Sequence, residues 1–148
     1  MDNMEQLITL RKQGFYCSQM ILLQGMEQMG KTNPDLVRAM HGLAGGLGFS
    51  GELCGALTGG ASLLGLYAGK GTPEQEEDPK LDFMIQGLVK WFKAEYGEQF
   101  SGVRCEEILA GNNQNKMTRC PLMVSGVLQK VNELLVENGF DLSGLDDE

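Results

Sequence analysis

Basic side chains are scarce. Twelve lysines and arginines face twenty aspartates and glutamates, for a formal net charge of −8 and a pI near 4.6. That deficit argues against non-specific nucleic-acid binding and against docking on an anionic membrane, both of which need a basic patch. Histidine is scarcer: His41 stands alone, so a Cys-His-Asp triad has a single base to draw on. None of the four cysteines forms a C-x-x-C pair, which leaves neither a zinc knuckle nor a thioredoxin-type motif. No strand-like run stands out. The opening segment carries two acids before any apolar run and no uninterrupted apolar stretch, so it does not read as a signal peptide. Residues 53–69 are uncharged, but at the lower edge of the ~17–25 residues of a spanning helix and rich in glycine they read as a buried helix. A reducing cytoplasm is the expected compartment, where cysteines are more often ligands or redox groups than a static disulfide frame.

What is present fits one globular unit. The 148 residues are 42% hydrophobic and 22% charged, enough for one domain over 1–148 that buries roughly 70% of its unfolded surface. Helical spacing predicts helices over about 3–13 and 15–29. Asn33 as cap and Pro34 at the first position start another, running to about Leu43. Residues 45–51 read as a loop, with Ser50 as the cap of a helix over 51–68. An acidic connection, 70–79, leads through Asp78-Pro79 into a helix whose apolar face is Leu81, Met84, Ile85, Leu88 and Phe92. A short helix over 103–110 follows. The last helix is expected to open at Cys120-Pro121 and stop before Gly139, leaving 141–148 as a loose acidic tail. The fold class expected is all-α, a helical bundle around a glycine-rich central helix.

The literal match Gly46-x-Gly48-x-x-Gly51 is not a dinucleotide site on this reading, because a helix rather than a strand precedes it. Glycine is abundant, 21 residues or about twice the usual ~7%. Gly55, Gly59, Gly60 and Gly65 fall inside the central helix, each at a cost of roughly 1 kcal/mol. With Gly51, Thr58 and Ser62, two of them make a stripe of small residues for close approach of a neighbouring helix, a second subunit or a cofactor. Gly48, Gly51, Gly55 and Gly59 are the candidate cofactor contacts. Cys17, Cys54, Cys105 and Cys120 all fall at or near predicted helix starts, where free N–H groups favour an anion. Four thiolates brought together would repel one another, so a converging set should bind metal or pair into disulfides; scattered buried thiols are the alternative.

The segments 14–19, 44–59, 104–109 and 119–121 carry a resemblance. Together they are similar to the C-GCAxxG-C-C family of small redox-active prokaryotic proteins, over about 15–138, with Cys54-Gly55-Ala56 standing where the family name implies Gly-Cys-Ala. The resemblance implies redox chemistry at the four cysteines. The reading is a cytoplasmic oxidoreductase or electron carrier with an unidentified redox partner. It would act by thiol–disulfide exchange or through an iron–sulfur cluster or other thiolate-bound metal held by Cys17, Cys54, Cys105 and Cys120. Cys54, at a helix start with an open glycine-lined surround, is the expected reactive thiol, and Glu52 the nearby charge that opposes its ionisation. Two alternatives stand beside it. One is a structural module forming homo-oligomers through its small-residue face; the other is a transfer enzyme with Cys54 as nucleophile and His41 as base.

Overall fold

Local start and stop signals set most of the helix boundaries. The computed structural model describes residues 3–144, without the side chains of residues 3, 113 and 116–118. Helix α1 (Asn3–Lys12) is followed by α2 (Cys17–Gln28), at whose start the Gln19 Oε1 accepts the Tyr16 N–H at 3.1 Å. Asn33 caps α3 (Pro34–Met40) as expected, its Oδ1 accepting the Leu36 N–H at 3.1 Å. A 3-10 turn, His41–Leu43, extends that helix. Beyond an irregular segment come α4 (Gly55–Ala68) and α5 (Leu81–Phe92), which runs on into a wider turn, Lys93–Gly97. Two further helices, α6 (Cys105–Leu109) and α7 (Lys116–Glu137), complete the chain. Among the described residues there is no strand, only an isolated antiparallel bridge between Leu53 and Arg104. The protein is all-α.

The apolar face foreseen on α5 is the face it buries: Leu81, Met84, Leu88 and Phe92 are buried and Ile85 is half-buried against the same core. Val124, Val127, Leu128, Val131 and Leu135 of α7 meet them, together with Leu63 and Leu64 of α4. Burying side chains of this size contributes roughly 1.5–3 kcal/mol each. Helix α4 packs against α2, α5 and α7, and its glycines show why it gives up helix propensity. A Cβ on Gly59 would stand 3.1 Å from the Ser18 Cα and 3.3 Å from the Ser18 carbonyl oxygen. The backbones of α2 and α4 therefore approach at a distance that a side chain here would prevent. Of the small-residue face, Gly55 and Gly59 pack on α2 of the same chain, while Gly51, Thr58 and Ser62 stay half-buried.

Three boundaries differ from expectation. Helix α4 starts at Gly55 rather than 51, with Cys54 and not Ser50 at its cap. The reason is long-range: Cys54 N–H donates to the Val103 carbonyl at 3.1 Å and Cys105 N–H to the Glu52 carbonyl at 2.6 Å. This pairing holds residues 51–54 extended. Helix α7 opens at Lys116, so Cys120 and Pro121 lie inside it rather than at its cap; a proline this near the start forfeits only one or two of the ladder's bonds. The segment 141–144 is anchored, since the Tyr67 hydroxyl donates to the Leu142 carbonyl at 2.6 Å; residues 145–148 lie outside the described part. No helix among the described residues is long and apolar enough to cross a membrane.

Two substitutions on α4 should have opposite signs. Gly59→Leu should lower unfolding stability by about 3 kcal/mol, through overpacking against the α2 backbone. Gly65→Ala, where a Cβ meets nothing within 4 Å, should raise it by about 1 kcal/mol. Urea unfolding of both variants checks this; equal effects would refute the close approach.

Candidate functional site

Residues 45–49 run in the left-handed region, with φ of 63° at Gly45, 73° at Gly46, 65° at Leu47, 64° at Gly48 and 66° at Phe49. Such backbone costs an L-residue roughly 1–2 kcal/mol, so glycine at three of the five positions confines the strain to Leu47 and Phe49. A methyl group on Gly46 would run into the backbone of Glu52. The Glu52 N–H donates to the Gly46 carbonyl at 3.1 Å, and the Gly51 N–H to the Gly45 carbonyl at 3.2 Å. The turn therefore folds the chain back on itself and delivers residues 51–54 to residues 103–106. The motif Gly46-x-Gly48-x-x-Gly51 lies in this turn, after a 3-10 turn and not a strand, and lacks the framework of a dinucleotide site.

The pairing has a direct consequence for two cysteines. Across the Leu53–Arg104 bridge, residues 52 and 54 share a face with 103 and 105. Cys54 and Cys105 are thus diagonal neighbours on one face, a relation that places Cα atoms roughly 7–8 Å apart. Cys17, the first residue of α2, arrives from the other side: a Cβ on Gly55 would stand 2.6 Å from its Sγ. Cys120 enters from α7, tied to α6 by the Arg119 guanidinium, which donates to the Ile108 carbonyl. All four cysteines line one cavity of ≈ 20 Å³, closed by Gly55, Ala56, Ile108, Leu109 and Met123. That is room for about one water. No disulfide joins any of the four.

Electrostatics reverse the expectation for Cys54. It is 7% exposed, not open, and burial pushes its thiol well above the usual range. The sulfurs of Cys17 and Cys120 push the same way, against the N–H groups of Ala56 and Leu57 at the start of α4. A helix terminus supplies at most about 2 kcal/mol, and desolvation outweighs it. Burial also raises Cys17, opposed by the N–H groups of Gly45 and Ser18, by its own N–H and by the Arg11 guanidinium. Glu52, the charge expected to act on Cys54, is engaged elsewhere. Its Oε1 lies 3.1 Å from Arg104 Nη2, and Arg104 Nη1 reaches Glu106 Oε1 at 2.9 Å.

Of the other candidates, Gly55 reaches the cavity wall, while His41, Gly48, Gly51 and Gly59 do not. His41 sits edge-on to Tyr16 at 5.2 Å and to Phe49 at 6.3 Å between ring centres, and Tyr16 meets Phe49 at 5.0 Å. His41 is not part of the cavity wall, so the Cys54–His41 pairing has no geometry behind it. Gly55 and Gly59 face Cys17 and Ser18 of α2, whereas Gly51 lies beneath Glu106 and Gly48 in the left-handed turn. Among the described residues, no three side chains of His, Cys, Asp or Glu are spaced to hold one metal ion. The four sulfurs thus share a wall without forming a ligand set as they stand. Arg104 was not legible as a site residue: its role of clamping Glu52 beside Glu106 exists only because residues 52 apart in sequence pair.

Residues 15–134 match the family model described as "Putative redox-active protein (C_GCAxxG_C_C)". No curated protein and no solved structure matches the chain.

The raised thiols link stability to pH. A thiol held neutral by burial stabilises the fold fully below the ordinary thiol value, 9.0. Above it the unfolded chain ionises and the folded one does not, so stability falls as pH rises. Each such thiol contributes a slope of up to about 1.4 kcal/mol per pH unit. Urea unfolding of the reduced protein between about pH 8 and 10.5 should show that decline, and Cys54→Ala should flatten it. An unchanged slope in the variant would mean that Cys54 is ionised in the folded protein.

Proposed function

The chain belongs to the C_GCAxxG_C_C family of redox-active proteins, and from that premise we propose that Cys17, Cys54, Cys105 and Cys120 form one site that cycles between thiols and disulfides. The observation carrying this reading is their convergence on a single small cavity. Disulfide formation needs Cα atoms within about 7 Å; the diagonal relation of Cys54 to Cys105, at roughly 7–8 Å, lies just beyond that limit, so the two segments must draw together by about 1 Å to close the bond. In the cycle two thiols lose two electrons and two protons to an oxidised partner and join as one disulfide; a reduced partner reverses the step. Cys54 is the hub and the resolving thiol, buried and neutral until a neighbouring sulfur becomes electrophilic. Gly55 keeps Cys17 against the cavity, Gly59 keeps α2 against α4, and Gly48 and Gly51 leave the turn slim where a partner approaches. The protein works as an oxidoreductase in a reducing cytoplasm, which regenerates the thiols.

An electron carrier with a thiolate-bound metal or iron–sulfur cluster is the second reading, favoured by the same convergence. Cys17, Cys54, Cys105 and Cys120 would be its ligands, but thiolate ligation at about 2.3 Å requires the cavity walls to draw in from their present arrangement.

Alkylation under denaturing conditions separates the readings. After mild oxidation fewer than four thiols should be alkylated, and reductant should restore all four. Four reactive thiols after oxidation would overturn the disulfide cycle. Iron or zinc in stoichiometric amount after purification without oxygen would transfer the assignment to the metal reading.

A further inference from the structure

A cleft of ≈ 450 Å³ lies on the outer side of the cysteine cavity, its walls formed by glycines together with Phe49, Ser50, Cys105, Glu106 and Leu109. Cys105 and Leu109 belong to both walls, so they are the partition between the buried cavity and the open cleft. Cys105 is the cysteine this cleft presents. Its volume is in the range of small-molecule sites, roughly 300–1,000 Å³, and its glycines and Ser50 leave little side chain in the way.

The charge of the cleft has one sign. Glu106 is its charged lining residue, and no lysine, arginine or histidine lines it. Arg104 holds Glu106 Oε1 at 2.9 Å, while a Cβ on Gly51 would stand 2.9 Å from Oε2, which places that oxygen over the glycine wall. Phe49, 46% exposed, adds an aromatic ring to the same lining, and a carboxylate and an aromatic ring in one cleft are a setting for an organic cation. An anionic disulfide meets a carboxylate there and a chain of net charge −8. On the reading that the four cysteines form a thiol–disulfide site, we propose that this cleft takes a low-molecular-weight, amine-bearing disulfide and that Cys105 attacks it.

The step balances with the groups named. The Cys105 thiolate attacks one substrate sulfur: the substrate S–S bond breaks, a mixed disulfide forms on Cys105, and one aminothiol leaves, taking up a proton. Cys54, the diagonal neighbour across the Leu53–Arg104 bridge, then attacks the Cys105 Sγ. The mixed disulfide breaks, a Cys54–Cys105 disulfide forms and the second aminothiol leaves with the Cys54 proton. One substrate disulfide is reduced to two thiols, and two protein thiols are oxidised.

The test uses the reduced full-length chain with cystamine as probe and oxidised glutathione as the anionic comparator, each rate divided by its rate with free dithiothreitol. Cystamine should react more than about tenfold faster on that scale, within the range of electrostatic steering. High salt and Glu106→Gln should each shrink the preference to threefold or less. In Cys54→Ser, peptide mapping should find the cysteamine adduct on Cys105; should that variant not fold, acid quenching of the wild type within milliseconds reads the same adduct. An adduct confined to Cys17 or Cys120, or equal normalised rates for the two disulfides, overturns the proposal. If diamide still converts the four thiols to intramolecular disulfides in that case, the redox site stands and only the cleft assignment falls. Failure of every oxidant to pair any of the four removes both.

Discussion

The close approach of α2 to α4 is the contact on which the cysteine site depends. At Gly59 the Ser18 backbone occupies the space a side chain would need, and at Gly55 the Cys17 sulfur does so. A Cβ at either position would push the first turn of α2 outward and carry Cys17 away from Cys54. Glycine in the interior of α4 costs helix propensity, roughly 1 kcal/mol per residue. Burial of Met20, Ile21, Leu57, Leu63 and Leu64 around the contact offsets that cost. The same contact engages Gly55 and Gly59 within the chain, while Thr58, Ser62 and Gly65 of α4 stay half-buried.

A second constraint acts through backbone alone. The left-handed turn at 45–49 reverses the chain, and the Cys54–Val103 and Cys105–Glu52 hydrogen bonds then hold two distant segments side by side. Arg104 bridges the two carboxylates brought together there, Glu52 and Glu106, with one positive charge against two negative ones. Strain in Leu47 and Phe49 is the local cost, of the kind that persists only where surrounding structure over-determines the conformation. It leaves Phe49 packed on Tyr16 and His41 at one side and lining the outer cleft at the other.

Burial and helix-terminus electrostatics oppose each other at the sulfurs, and burial prevails. Cys54 stays a neutral thiol despite the N–H groups at the start of α4, because a thiolate there would be stripped of water beside two further sulfurs. Within the proposed cycle this separates the labour. Attack begins at a thiol that reaches solvent, and the interior thiol acts only once a bonded sulfur is presented to it.

Much was legible from residues three and four apart. The Asn33-Pro34 start of α3, the buried face of α5, the all-α class and the absence of a dinucleotide framework are all properties of local spacing, and they were readable in the chain. Convergence of the four cysteines was suggested by their helix-start positions together with the family resemblance. Those positions were partly misplaced, since Cys120 lies inside α7. What only the tertiary structure decided are the start of α4, the upward push on the Cys54 thiol, the clamp by Arg104 and the presentation of Cys105 to a cleft. Each depends on which remote backbone satisfies an N–H group or excludes water from a sulfur. Helix periodicity reports which side of an element is apolar; the residue that arrives against that side, and the solvation it removes, are set by packing across segments about fifty positions apart.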